Sequence, residues 1–400
     1  MNLVRLALRP GLARHLRAGH PWVFRKGLEK PPRIPAGSVV DLTDAGKFVA
    51  RGYFDPKSPI AVRILTRDVR ERIDQAFLEG RLARALELRR ALLDLSSTDA
   101  FRWVHGEGDG LPGVVVDVYA GLAVVKLYSA GLTPYRTMLT AALRAVWPGL
   151  TGVLGRDRPE QGETPEEDEG RGGGELLWGS APEQVVIREK GVRFRVDPWH
   201  GQKTGFFLDQ RENRALVRRV SAGARVLNCF CFTGGFSVNA ALGGAAHVFS
   251  VDQDADAIAL ARANFRENGL DPERHDFLAA DVFRLLGSFR QEERRFDLVI
   301  LDPPAFAKSQ RAVEAALDGY ASLNRQALAL VRPGGLLATA SCSARVSPEA
   351  FLGALREAAG SAGVDLTLVE ERYQPPDHPV PLAFPEGRYL KFHLLRVRPW

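Results

Sequence analysis

Between residues 224 and 340 the chain repeats one pattern five times, a short apolar run followed by an amphipathic stretch, and few folds accommodate it. The apolar runs cover 224–229, 247–251, 276–279, 296–301 and 335–340, each of strand length, with helical spacing between them. Such alternation demands a parallel sheet with right-handed crossovers, because the helix joining two parallel strands must pack back onto the sheet. The end of the chain breaks the pattern. Residues 366–369 and 389–397 read as strands separated by the proline-rich QPPDHPVPLAFPEG and no helix, which predicts an antiparallel pair at the sheet edge.

Four hundred residues exceed what one core accommodates, and the texture upstream is different. Residues 1–70 alternate apolar and polar positions around Asp-Ala-Gly and Asp-Pro-Lys turns, as in GSVVDLTDAGKFVARGYFDPKSPIAVRIL, and read as a small β-rich module. A helix follows, marked by Ile73, Phe77, Leu82, Leu86, Leu88 and Leu92. Two further strand-like runs flank Ala120 and Gly121, the sign of a hairpin, with a helical stretch at 135–146. Residues 156–174 replace apolar side chains with glycine and acid and read as a solvated loop without catalytic importance. The expected organisation is therefore a β-rich domain at 1–70, an α+β domain at 71–190 and an α/β domain at 191–400.

Charge is uneven along this framework. Residues 1–67 hold 13 Lys and Arg against 4 Asp and Glu, whereas the rest of the chain holds 41 against 44. A basic front end suits a polyanion such as RNA, and an ordinary solvated face is the alternative on charge alone. No apolar run is long enough to span a bilayer and the first residues carry scattered charges, so a soluble, cytoplasmic protein is expected. Three cysteines, Cys229, Cys231 and Cys342, are too few for a disulfide framework, and no metal-ligand spacing is present.

The tips of the five strands carry the chemistry. After the first, NCFCFTGGFS places Gly234 and Gly235 ahead of a helix, where glycine permits close backbone approach and exposed N–H groups favour an anionic group; a ligand-free tight turn is the other reading. The second strand ends at Asp252, suited to ribose hydroxyls, and the third is followed by Asp281, suited to an adenine amino group. The GxGxxG spacing of dinucleotide sites is absent.

The fourth strand ends in LDPPAFAKS, where Pro303 and Pro304 stiffen a turn presenting Asp302, and Phe306 offers a ring for stacking on a planar base. The fifth ends in SCS, so Cys342 should lie beside Asp302. A free cysteine is most often a small buried hydrophobe, but one at an open strand tip has a chemical use. Carbon 5 of a pyrimidine is a poor nucleophile, and a thiolate adding at C6 activates it. Cys229 and Cys231 read as packing.

With GQKTGFFLDQR (201–211), NCFCFTGGFS, LDPPAFAKS and SCS, the chain resembles the ribosomal RNA large-subunit C5-cytosine methyltransferases that carry an N-terminal PUA domain. The resemblance extends over essentially the whole chain. It implies a PUA domain, a small middle domain and a Rossmann-like class I methyltransferase domain. S-adenosylmethionine would be the donor, and 23S rRNA or a large-subunit precursor the partner. It implies Cys342 as nucleophile and Asp302 as its catalytic neighbour. Pro303, Pro304 and Phe306 would touch the base. Asn228, Phe230, Thr233, Gly234, Asp252, Gln253, Asp281 and Asp302 match cofactor positions, and Lys203, Asp209 and Arg211 lie in a loop expected to close over the methionine end.

One departure stands out: many C5-cytosine enzymes carry a second cysteine beside these prolines, and here Ala305 and Phe306 follow them. The base that removes the C5 proton is not legible. Two other functions stay open, an rRNA guanine N-methyltransferase needing no cysteine and a non-catalytic assembly factor that binds RNA. The oligomeric state, monomer or homodimer, is also open.

Overall fold

The computed structural model describes residues 3–156, 173–307 and 310–399. Its contacts divide the chain into two units: Met1–Arg188 with Val196–Leu208 and Pro376–Gly387, and Glu189–Arg195 with Asp209–Pro375 and Arg388–Trp400. Most of the loop expected at 156–174 lies outside the described residues.

The first unit contains two five-stranded sheets. In one, Val4–Ala7, Val39–Asp44, Lys47–Phe54, Ile60–Thr66 and Trp22–Phe24 follow one another in space, antiparallel except for the first pair. In the other the order is Glu175–Gly179, Gly152–Gly155, Leu122–Leu127, Val114–Tyr119 and Ala100–His105. The hairpin turns where expected, with Ala120 and Gly121 both at positive φ, the geometry a two-residue connection needs.

The helix preceding the second sheet, Gln75–Leu92, corrects part of the sequence reading. Its buried stripe is Phe77, Leu78, Leu82, Ala85, Leu86 and Arg89, while Leu88 and Leu92 are 38% and 51% exposed. Spacing of three and four residues from Leu78 generates that stripe, and Leu88, two positions past Leu86, falls on the opposite side. A fully buried Arg89 is accepted because Asp109 binds it twice, at 2.5 and 2.8 Å. The basic excess of residues 1–67 is also partly internal. Arg51 pairs with buried Asp41 at 2.7 Å, and Arg63 donates to Ser129 Oγ at 3.2 Å.

The second unit is the doubly wound sheet. Its strands are β1 (Arg225–Cys229), β2 (His247–Asp252), β3 (Asp276–Ala279), β4 (Phe296–Leu301), β5 (Val331–Ser341), β6 (Val364–Arg372) and β7 (Lys391–Pro399), in the spatial order 3-2-1-4-5-7-6. The first five are parallel, and β7 runs antiparallel between β5 and β6, as the helix-free C-terminal segment predicts. Its helices are α1 (Arg211–Arg219), α2 (Gly235–Leu242), α3 (Ala255–Glu267), α4 (Val282–Gln291), α5 (Val313–Leu328) and α6 (Pro348–Ala362).

Alternate residues of the central strands face opposite cores. Leu298 and Ile300 pack with α1 and α2 residues such as Leu216, Val217, Phe236 and Ala240, while Val299 and Leu301 pack with Leu286, Phe289, Tyr320 and Phe351 of α4, α5 and α6. Burial on both faces is why β4 reads as an apolar run interrupted only by Asp297, each buried apolar side chain contributing roughly 1.5–3 kcal/mol. Strand β6 at the edge is half exposed along its length. The strand order reverses between β1 and β4, which opens a crevice at the carboxyl ends of these strands. Among the described residues no helix is long and apolar enough to cross a membrane.

Candidate active site

The loop leaving β1 is strained. Phe230 and Phe232 hold φ of 59° and 48°, a left-handed conformation that side chains rarely adopt. It is pinned from β2: Cys231 N–H donates to Val251 O at 2.9 Å, and Phe232 N–H donates to Asp252 Oδ2 at 2.8 Å. Asp252 Oδ1 accepts from Asp254 N–H at 3.0 Å, so the carboxylate is oriented by backbone on both oxygens. Gln253 beside it is exposed.

Gly234 follows at φ 80°, and a Cβ there would stand 2.9 Å from Ala261 Cβ on α3. Only glycine satisfies both the angle and the contact. Beneath the loop, fully buried Asn228 donates to Ser237 Oγ at 2.8 Å, and Ser250 Oγ donates to the same oxygen at 2.8 Å. Two buried polar atoms here, Asn228 Oδ1 and Thr233 Oγ1, have no hydrogen-bond partner among the described residues.

On the β3 side, Asp281 caps α4 by accepting from Arg284 N–H at 2.9 Å, which fixes its direction and leaves its other oxygen open to a ligand. Phe283, next along and 40% exposed, approaches Phe230 edge to face at 6.4 Å. Phe283 was missed in the sequence, although a large exposed apolar residue two positions past a strand-tip acid is a usable signal.

At the end of β4, Asp302 Oδ1 accepts from Gln210 Nε2 at 2.9 Å, and Gln210 Oε1 accepts from Asn213 Nδ2 at 2.6 Å. Asp209 Oδ2 accepts from Tyr389 O–H at 2.7 Å. Arg211 is buried, 1% exposed, and so is not an ordinary surface charge. Gln210, Asn213 and Tyr389 were not singled out in the sequence; Gln210 lies inside a quoted motif, and the other two give no local signal. Lys203 belongs to the first unit, where its Nζ lies 4.8 Å from the Phe207 ring. The boundary between units thus falls inside GQKTGFFLDQR, between Leu208 and Asp209. Buried Thr204 explains the first side, donating to Asp117 Oδ2 at 2.5 Å.

Past Asp302, Pro303 is buried and Pro304 exposed, and the Phe306 ring packs on Tyr320 at 4.6 Å between centroids. Strands β4 and β5 are hydrogen-bonded neighbours with Leu301 opposite Thr339, which brings Cys342 next to the proline turn. Its Sγ lies 4.0 Å from Pro303 O, and the residue is partly exposed. Cys229 and Cys231 are buried, and burial pushes both thiols far above the ordinary range. Only Cys342 among the three combines access with a strand tip in the crevice.

Similarity to known proteins agrees with this geometry. An S-adenosylmethionine-dependent methyltransferase family matches residues 168–387, and a PUA-like domain family matches 6–67. The chain is 38% identical over 395 residues to ribosomal RNA large subunit methyltransferase I of Klebsiella pneumoniae, covering 98% of each. It is 39% identical over 401 residues to the protein of that name from Shewanella denitrificans, covering 98% of this chain and 99% of the other. Among solved structures, a chain from Streptococcus mutans provisionally assigned to the SAM-dependent methyltransferases superposes with TM-score 0.85 at 25% identity, covering 98% of this chain and all of that one. A further solved chain, provisionally named a methyltransferase and complexed with SAH, gives the same score and identity over 99% of this chain.

Proposed function

Because the chain belongs to the S-adenosylmethionine-dependent methyltransferases, we propose that its acceptor is C5 of a cytosine in 23S rRNA, reached through a covalent adduct with Cys342. Methylation of rRNA at the expense of S-adenosylmethionine is the shared activity of the relatives and of this enzyme. The observation that carries the finer reading is the position of Cys342: partly exposed, at a strand tip, 4.0 Å from the Pro303 carbonyl.

The residues fit the donor. Buried Asn228 Oδ1 and Thr233 Oγ1 lack partners among the described residues beside a glycine turn, as polar atoms awaiting a ligand do. Asp252 would hold the ribose hydroxyls, Asp281 the adenine amino group, and the Phe230 and Phe283 rings the adenine faces. Thr233, Gly234 and exposed Gln253 would border the same group, with Asp209 and Arg211 serving its methionine end. When bound, S-adenosylmethionine supplies an electrophilic methyl carbon.

The chain's own residues do the rest. Asp302 contacts N3 or the amino group of the cytosine, and Pro303, Pro304 and Phe306 shape the slot. The Cys342 thiolate forms a bond to C6, and the displaced electron pair makes C5 a carbanion equivalent that takes the methyl group. Loss of the C5 proton to a base then lets the C6–S bond break, returning the thiolate and the aromatic ring. Residues 1–70 and 71–190 form the RNA-docking and middle domains of this proposal, and 191–400 the catalytic one. The target base is splayed out of its helix to reach the pocket, in the cytoplasm where ribosomes assemble.

Trapping decides between this chemistry and nitrogen methylation. RNA containing 5-fluorocytosine should form a complex with the native protein that survives denaturing electrophoresis, since fluorine cannot leave as a proton does. Methyl transfer without any such complex points to a guanine nitrogen, and no transfer at all to a binding factor.

A further inference from the structure

Behind the turn that carries Cys342 lies a lysine that the chemistry above does not use. Lys391 opens β7 and is 0% exposed. Its Nζ donates to three backbone carbonyls, Ser343 O at 2.6 Å, Val346 O at 2.9 Å and Tyr389 O at 2.8 Å. An ammonium has three N–H donors and no acceptor, so this cradle satisfies the charged form completely. A neutral amine would set its lone pair against a carbonyl oxygen. None of the three partners is a carboxylate, so the charge sits in the core balanced by dipoles alone.

Two of those carbonyls belong to the turn immediately after Cys342. The residues on either side of the cysteine are fastened as well: Ser341 Oγ donates to Tyr320 Oη at 3.0 Å, and Ser343 Oγ lies 2.9 Å from the same oxygen. The sulfur is thus carried by a short segment gripped from α5 on one side and from β7 on the other.

We infer that Lys391 is a positioning residue for Cys342, which clamps the 343–346 turn and sets a buried positive charge close to the sulfur, so that the thiolate is favoured. The inference deepens the proposed covalent chemistry and rests on it for its biological use. Burial lowers the Lys391 ammonium to about 8, and the negative charge of an ionised Cys342 raises it again. Tyr320, raised to about 12 by burial first and then by that same sulfur, stays neutral. Among the described residues, the other groups near this region include His393 of β7, lowered by burial and bonded to Glu371 of β6, and Asp302 at the end of β4, bonded by Gln210. Arg345 within the turn is exposed. Among the described residues, Lys391 is thus a buried cation bonded to the turn that follows Cys342.

The test is the pH dependence of Cys342 alkylation by iodoacetamide in the full-length protein without RNA, read by mass spectrometry of the Cys342 peptide. Native Cys342 should titrate at least about one unit below the free-cysteine value of about 8.5. Lys391→Met should return the midpoint toward that value and slow alkylation at neutral pH about tenfold. Lys391→Arg, which keeps the charge, should retain most of the depression. A native midpoint at or above the free value overturns the inference, and so does an unchanged midpoint in folded Lys391→Met. Should Lys391→Met lose its fold by circular dichroism, Lys391→Arg decides, because a midpoint at the free value with the charge retained removes the electrostatic argument. Failure of the covalent reading is a different result: Cys342→Ala would then keep methyl transfer, whatever the thiol titration gives.

Discussion

Gln210 and Asp302, 92 residues apart in sequence, are joined by a 2.9 Å hydrogen bond that fixes the carboxylate at the mouth of the crevice. The donor is a neutral amide, so it aims the carboxylate without cancelling its charge, and Asn213 fixes the amide in turn at 2.6 Å. A hydrogen bond to a charged group is worth roughly 1.5–3 kcal/mol, so Gln210→Ala should lower kcat/KM for rRNA methylation about 10- to 100-fold. The unfolding midpoint should fall as well, because the buried Asn213 amide loses its acceptor. Native-like turnover in this variant, measured with labelled donor, would mean that Asp302 needs no such support.

Cys342→Ala should abolish methyl transfer while donor binding by calorimetry stays native. Cys229→Ala and Cys231→Ala should keep transfer, since both thiols are buried and pushed up out of the reactive range. Loss of transfer in either of those two, with Cys342→Ala active, would move the nucleophile elsewhere.

Gly234→Ala combines a left-handed backbone with a Cβ placed 2.9 Å from Ala261 Cβ. The conformation alone costs about 1–2 kcal/mol for an alanine. The contact is with α3, so relief must come from displacement of the loop that carries Phe230 and Thr233. Donor affinity should therefore fall along with thermal stability. Scanning calorimetry and titration calorimetry on the same preparation check both, and a native Kd would separate this glycine from the donor site.

His105, in the first unit, is partly buried, and its pKa is held well below 6.5 by desolvation first and then by the charges of His378, Arg102 and Arg89. Its Nδ1 accepts from Arg102 Nη1 at 3.3 Å, so the neutral ring is the form the fold uses. Below pH 6.5 the unfolded chain binds a proton that the folded chain refuses, and stability falls as pH drops. The slope from this residue is at most about 1.4 kcal/mol per pH unit, and it ends at the folded pKa. Urea unfolding at several pH values between about 6.5 and 5 should give a shallower decline for His105→Gln than for the native protein. Equal slopes would show that His105 is protonated in the folded state.

The sheet was readable because its information is local. A mostly apolar run such as that of β4 follows from burial on both faces, and the absence of an α-helix between β6 and β7 is visible as prolines. Asp252, Asp281, Asp302 and Cys342 could be picked out because the parallel architecture puts every strand's carboxyl end on one side. The apolar stripe of Gln75–Leu92 was misjudged at Leu88 and Leu92, where leucines on the exposed face look like any others in a list. Polar residues turned inward give no local signal at all. Arg51, Arg89 and Arg211 count as surface charge in a composition and are buried in the fold.

By itself, then, the sequence determined the order of strands and helices, the parallel sheet and the acids and thiol at its strand tips, since backbone periodicity and chain direction are properties of neighbouring residues. Tertiary structure alone decided what holds those groups: Gln210 on Asp302, Tyr389 on Asp209, and Lys391 beneath the turn of Cys342. Whether a polar side chain is buried, and which donor or acceptor completes it, depends on residues tens to hundreds of positions away. No spacing in the chain encodes that, because a buried polar group takes its partner from whatever the packed core brings within hydrogen-bond reach.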